Sequence, residues 1–183
     1  MAKIIDHVTS AKGDNTVGPL LFNKKMDVEV GATTDFSGED WVKLGYGSTD
    51  GISVETDADD ADKAVWGASL GKIYSNFTDT LTLHCASFMD QDLWKVIVGE
   101  ENVATDSGFT TIKRKNVSIK GTFVVVAKSD AGKKMMWVYR GHVNPAFDYD
   151  ATGDDVITFD LEINGITADD GTTSTMILQT AEE

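Results

Sequence analysis

Residues 77–99 read FTDTLTLHCASFMDQDLWKVIVG, and they contain the clearest change of hydrophobic period in the sequence. In the first half, Leu81, Leu83 and Cys85 are apolar and the residues between them are polar. Successive side chains of a β-strand point to opposite faces, so this alternation predicts a strand with one buried face. The opposite face of that strand would carry Thr80, Thr82 and His84.

The second half of the stretch has helical spacing. Its apolar residues recur about every four positions, which places them on one face of a helix. They are Met89, Leu93, Trp94 and Ile97. Ser87 and Asp90 resemble a capping box, and Gly99 suits a helix C-terminus because glycine readily adopts positive φ. We therefore expect one short helix over residues 87–99.

Elsewhere the sequence has the pattern of a β protein. Short apolar alternations, the cleanest at 156–164, are separated by turn residues. We expect about ten strands in a single domain over residues 1–183, forming a β-sandwich or barrel with the helix packed on its side. Weak patterning predicts an extended N-terminal arm at 1–23, and a segment rich in Asp and Ala predicts a long inter-strand loop at 56–71.

The chain is strongly acidic, with a formal net charge of -14 at pH 7. An excess of this size repels nucleic acid phosphates and disfavours tight binding to DNA or RNA. The single cysteine excludes an intramolecular disulfide. The sequence has neither a signal-peptide pattern nor a run of about 20 apolar residues that would span a membrane. We therefore expect a soluble protein made in a cytoplasm, without a membrane partner.

Few residues suggest chemistry. His84 and Cys85 are adjacent, but neighbours in a strand point to opposite faces and do not form a nucleophile–base pair. The other histidines, His7 and His142, lack metal-ligand spacing. The sequence also contains no phosphate-binding loop and no nucleophile elbow. We therefore expect no enzymatic activity and no cofactor.

Two acidic segments leave calcium binding open. Residues 148–153 begin like a calcium loop, but the twelfth position is Phe159 instead of Glu. Residues 57–62 supply carboxylates without the turn glycine. The alternative interpretation of both segments is solvated, mutually repelling charge.

The predicted loop at 56–71 indicates a partner. Val65 and Trp66 lie in its middle. Long loops in compact domains usually bind something, and aromatic anchors ringed by polar residues are typical of interfaces. The alternative is that Trp66 folds back onto its own sheet.

Three segments, 44–55, 64–68 and 77–99, read LGYGSTDGISVE, AVWGA and the strand–helix stretch given above. This succession of a hairpin, a Trp-Gly element and a strand leading into a helix resembles the major tail protein of long-tailed, siphovirus-like phages. The resemblance implies a structural protein of the virion tail, made in the host cytoplasm, with a β-sandwich of the tail tube type.

The resemblance also implies an assembly. Copies would join at their sheet edges into hexameric rings, which stack into a hollow tube. Double-stranded DNA would pass through the tube into the host without specific binding. The implied further partners are the tape measure, terminator and baseplate proteins of the tail.

Individual residues receive roles from the same resemblance. An acidic, polar lumen would keep DNA from adhering to the wall. Its candidates are Thr80, Thr82, Thr158, Asp160 and Glu162. The candidates for ring stacking and inter-subunit contact are Asp57, Asp59, Asp60, Asp62, Val65, Trp66, Ile4 and Ile5.

Two other interpretations stay open. One is a monomeric β-sandwich binding module, such as a virion decoration or carbohydrate-binding domain, with Trp41 or Trp137 as a ligand platform. The other is the tube protein of a contractile or secretion machine, which would share the fold and the ring.

Overall fold

The computed structural model describes residues 11–13, 20–45, 47–65, 68–86, 88–115, 117, 119–129, 132–144, 146, 149 and 157–179. These residues form eleven strands, one α-helix and one 3-10 turn. The strands are β1 (Ala11–Gly13), β2 (Leu20–Asn23), β3 (Val42–Lys43), β4 (Gly47–Val65), β5 (Ala68–Cys85), β6 (Val103–Asp106), β7 (Phe109–Ile112), β8 (Lys120–Ser129), β9 (Lys134–Val143), β10 (Phe159–Gly165) and β11 (Ser174–Leu178). The helix α1 spans Gln91–Val98, and the 3-10 turn spans Glu100–Asn102.

Nine of the strands form one antiparallel sheet in the order β3-β2-β8-β9-β10-β5-β4. The two remaining members lie off this path: β1 pairs with residues 127–129 of β8, and β11 pairs with residues 135–139 of β9. Strands β6 and β7 form a separate hairpin. The prediction of a mainly β protein with one short helix is confirmed.

Strand β8 lies between two hydrophobic cores. Phe123 and Val125 point into the larger core, which contains α1 and the apolar faces of β5 and β10. Val124 and Val126 point the other way, into a smaller core closed by Phe36 from the 24–41 segment. Because both faces of β8 are covered, its sequence is a continuous apolar run instead of an alternation.

Helix α1 begins one residue after Asp90, whose carboxylate accepts hydrogen bonds from the backbone N–H groups of Asp92 and Leu93. Gly99 ends the helix with a φ of 88°, as predicted. Met89 was predicted on the buried face, but this is wrong, because it precedes the N-cap and is 90% exposed. The other three predicted face residues, Leu93, Trp94 and Ile97, are buried. No helix among the described residues is long and apolar enough to cross a membrane.

The prediction of an N-terminal arm over residues 1–23 is wrong for the last four of these residues. Leu20–Asn23 forms β2, which pairs with β8 and β3 and is buried throughout. Phe22 packs against Phe123 in the larger core, with ring centroids 4.9 Å apart. Residues 1–10 and 14–19 lie outside the described part of the chain.

The predicted loop at 56–71 is also wrong. Strands β4 and β5 pair through this segment, from Thr56 opposite Asp79 to Val65 opposite Ala68. Asp and Ala disfavour strands on average, and the main-chain pairing of a long hairpin overrides that preference here. Strand β10 reaches β5 only at residues 80–85, so residues 57–65 and 68–78 pair only with each other among the described residues. We call this two-stranded extension the ribbon.

Candidate functional site

One face of the strands β4, β5 and β10 is polar. On β5 the polar side chains alternate with the buried Leu81, Leu83 and Cys85. The β5–β10 register sets Thr80, Thr82 and His84 opposite Asn164, Glu162 and Asp160, and the β4–β5 register adds Glu55 and Ser53. Residues directly opposite each other in an antiparallel pair share a face. We call these eight residues the polar face.

His84 and Asp160 form the closest contact on the polar face. The Nδ1 atom of His84 lies 2.6 Å from Oδ1 of Asp160, and the Asp160 side chain is 64% exposed. The hydroxyl of Thr80 donates to Oδ1 of Asn164 at 3.5 Å. Exposed contacts of this kind contribute little to stability, so the polar face is a solvated surface and not a buried network.

The structure brings the predicted lumen residues together. Thr80, Thr82, Asp160 and Glu162 lie on the polar face, and the exposed Thr158 precedes β10 by one residue. The sequence pattern indicated two separate strand faces, and the pairing of β5 with β10 makes them one surface. Next to Asn164 in the sheet register are His142 on β9 and then Lys120 on β8. The acidic part of the surface is therefore confined to three strands, β4, β5 and β10.

The predicted inter-subunit residues lie mainly on the ribbon. Asp57 and Asp59 are exposed on β4, opposite Thr78 and Ser75 of β5. Asp60, Asp62 and Val65 continue the same strand toward its end, opposite Tyr74, Lys72 and Ala68. Trp66, Ile4 and Ile5 lie outside the described residues.

Cys85 is a buried core thiol. It lies on the face of β5 opposite His84 and has no exposed surface. Burial, and to a smaller extent the negative charge of Asp160, raises the pKa of Cys85 to about 12. The thiol is therefore protonated at neutral pH, and His84 does not activate it.

The described residues also contain no group of three or more His, Cys, Asp or Glu side chains that could hold a metal ion. Phe159, the twelfth position of the predicted calcium loop, is buried in β10. Residues 57–62 belong to β4 and lie in a paired strand. Residues 148 and 150–156 fall outside the described part of the chain, so the choice between calcium binding and solvated charge in that loop stays open.

The sequence reasoning missed a buried carboxylate at the base of the ribbon. Asp79 is 6% exposed, and one of its oxygens accepts hydrogen bonds from the hydroxyls of Thr173, at 3.1 Å, and Ser174, at 2.5 Å. These bonds tie the start of β11 to β5. Burial, with the nearby charge of Asp79, raises the pKa of Tyr139 on β9 to about 12. The available signal was spacing, since Asp79 is in phase with Leu81 and therefore faces inward.

The comparisons with known proteins agree with this architecture. A family model described as phage tail tube protein matches residues 8–183, a span that includes the polar face and the ribbon. No curated protein matches the sequence. The resemblance predicted from segments 44–55, 64–68 and 77–99 is confirmed, and with it a structural role in the virion tail. The chain therefore belongs to the phage tail tube protein family.

Proposed function

We propose that six copies of this chain form a ring, and that the rings stack into the hollow tube through which viral DNA passes into the host. Each copy contributes residues 1–183 as one tail tube domain. The family match supports a tube over the alternative of a monomeric binding module. The observation that carries the proposal is the meeting of polar and acidic side chains from three neighbouring strands on one solvated face.

The polar face lines the bore. Glu55, Asp160 and Glu162 give it negative charge, and Asp160 also pairs with His84. DNA binds proteins chiefly where lysines and arginines neutralise its phosphates. A wall of hydroxyls and carboxylates instead repels the polyanion, so DNA slides past without specific contacts.

The ribbon supplies the axial contact between rings. A two-stranded hairpin is marginally stable alone in water, so a long one gains stability by packing on another surface. The acids Asp57 and Asp59 are exposed on it, and Trp66 follows β4 in the sequence. Docked on the next ring, the ribbon would bury Trp66 and direct its carboxylates to the rim of the contact.

The remaining contacts of the tube involve other tail proteins. The proposed partners are the tape measure, terminator and baseplate proteins of the tail. Synthesis in the host cytoplasm and assembly there complete the proposal.

Negative-stain electron microscopy of the purified, concentrated chain tests the proposal. We expect rings of six-fold symmetry and stacked tubes with a stain-filled channel. A protein that stays monomeric at high concentration would contradict the proposed assembly, and retention of such a monomer on a glycan column would favour a binding module.

A further inference from the structure

Asp79 lies at the point where β5 changes partners. From Thr80 onward, β5 pairs with β10 on one edge and with β4 on the other. Before Asp79, residues 68–78 pair only with β4 among the described residues. Asp79 itself is opposite Thr56 of β4. These two residues therefore join the ribbon to the rest of the sheet, and we call them the junction.

The pairing of β4 with β5 becomes irregular directly beyond the junction. Asp57 is opposite Thr78, but the next pair is Asp59 with Ser75, so β5 has one extra residue over this step. A β-bulge of this kind bends its strand and interrupts the ladder of backbone hydrogen bonds. Regular strand pairing therefore does not by itself fix the angle between the ribbon and the sheet.

The carboxylate of Asp79 connects the junction to a distant part of the chain. Its Oδ2 atom accepts hydrogen bonds from the hydroxyls of Thr173, at 3.1 Å, and Ser174, at 2.5 Å. Ser174 is the first residue of β11 and is opposite Tyr139 of β9, so these bonds lead to the body of the sheet. Because Asp79 is only 6% exposed, water competes little for its hydrogen bonds, which are stronger in such surroundings than at the surface.

The end of β10 also approaches the backbone of the junction closely. A Cβ added at Gly165, the last residue of β10, would lie 2.8 Å from the carbonyl oxygen of Asp79. Real Cβ atoms essentially never approach another heavy atom this closely, so only glycine allows β10 to end directly against Asp79. The end of β10 and the start of β11 therefore both meet the junction.

The second oxygen of Asp79 indicates that the carboxylate is not there for stability alone. This atom, Oδ1, is buried and has no hydrogen-bond partner among the described residues. A buried polar atom without a partner lowers the stability of the folded state. An apolar side chain in phase with Leu81 would avoid this cost, so the presence of Asp79 favours a role in fixing geometry.

We propose that Asp79 is a positioning residue that fixes the angle between the ribbon and the sheet by anchoring the junction to Thr173 and Ser174. The importance of this angle rests on the proposed function, in which the ribbon docks on the next ring. A segment that is held in its binding direction before contact loses less conformational entropy when it binds. The anchor therefore strengthens the axial contact without taking part in it.

Distance measurements by electron paramagnetic resonance test the proposal in dilute, monomeric protein. The reference chain carries Lys63→Cys on the ribbon and Lys120→Cys at the start of β8, each with a spin label. Cys85 is buried and protonated at neutral pH, so it stays unlabelled. Asp79→Ala removes the acceptor of both hydrogen bonds and should broaden the distribution of distances between the two labels.

Further variants test whether the broadening comes from the lost hydrogen bonds. Thr173→Val with Ser174→Ala removes both donors and should broaden the distribution to the same extent, with no further broadening when Asp79→Ala is added. Asp79→Asn keeps an acceptor oxygen and should retain the narrow distribution. Ser174→Ala alone removes one donor and should give intermediate broadening, and it replaces any of the other variants that does not fold.

Val96→Ala is the matched control for lost stability. Val96 is buried on α1, a helix that contacts β3, β6 and β7. Its truncation lowers the free energy of unfolding, but the distance distribution should stay like that of the reference chain. Urea unfolding and far-UV circular dichroism establish that each variant is folded.

The outcomes separate this inference from the proposed function. A distribution in folded Asp79→Ala as narrow as that of the reference chain would overturn the anchor and leave the tube proposal standing. Equal broadening by Val96→Ala and Asp79→Ala would also overturn the anchor. The yield of tubes from unlabelled protein should fall in Asp79→Ala. If the distribution broadens and the tube yield is unchanged, the anchor stands and the axial role of the ribbon is wrong.

Discussion

His84 and Asp160 lie opposite each other on β5 and β10, with their nearest side-chain atoms 2.6 Å apart. The two residues are 76 positions apart in the sequence, and their contact joins β5 to β10. Both strands bury their alternate residues in the same core, so their polar side chains form one surface. We propose that this surface lines the bore of a tube. The first quantity to test is therefore the charge on this surface.

The first prediction concerns DNA retention. Asp160→Lys combined with Glu162→Lys should produce tubes that retain DNA at low salt, because the new lysines neutralise phosphates along the wall. Co-sedimentation of labelled DNA with tubes measures the effect, which should disappear as salt is raised. Glu29→Lys with Asp169→Lys makes the same change in net charge at exposed positions off the polar face and should retain little DNA. Equal retention by the two double variants would exclude the lumen role.

The second prediction concerns the end of the ribbon. Trp66→Ala should leave the free energy of unfolding nearly unchanged and abolish tube growth, because we propose that the ribbon makes the axial contact between rings. Urea unfolding and tube yield by electron microscopy are the two measurements. An unchanged tube yield would refute the stacking role of this segment.

The third prediction concerns stability at high pH. Folding raises the pKa of Cys85 from 9.0 to about 12 and that of Tyr139 from 10.0 to about 12, in both cases chiefly by burial. The unfolded chain ionises these groups first, so the stability that they contribute is complete below pH 9 and is lost as the pH rises to about 12. Urea unfolding of the monomer from pH 8 upward should show this decline. The double variant Cys85→Ala, Tyr139→Phe should show a shallower slope, and an identical slope would contradict the assignment.

The fourth prediction concerns the close packing of β9 against β10. A Cβ added at Gly141 would lie 2.6 Å from the carbonyl oxygen of Asn164 and 2.8 Å from Cγ2 of Ile163. Gly141→Ala should therefore lower the free energy of unfolding by about 1–3 kcal/mol through overpacking. Gly31→Ala is the control, because no atom lies within 4 Å of its added Cβ. Similar urea midpoints for both variants would contradict this prediction, because they would show that β9 and β10 accommodate the added methyl group without loss of stability.

The sequence was informative where one face of an element is solvated. Leu81, Leu83 and Cys85 on β5, and Phe159 and Leu161 on β10, were predicted from alternation and are all buried. Periodicity is visible in these strands because polar and apolar environments alternate along them.

The same reasoning failed where that contrast is lost. Leu20–Asn23 is covered on both faces, so it has no alternation that distinguishes it from an irregular arm. In residues 57–65, the Asp and Ala residues concealed a strand that is held by main-chain pairing. Asp79 was overlooked because its hydroxyl partners, Thr173 and Ser174, are more than 90 residues away in the sequence.

A cryo-electron microscopy reconstruction of assembled tubes tests the central claim most directly, because it shows which face of the subunit lines the channel. We predict six copies per ring, with Asp160 and Glu162 among the side chains nearest the tube axis. A reconstruction in which the polar face lies on the outer wall, or is buried between subunits, would contradict the account.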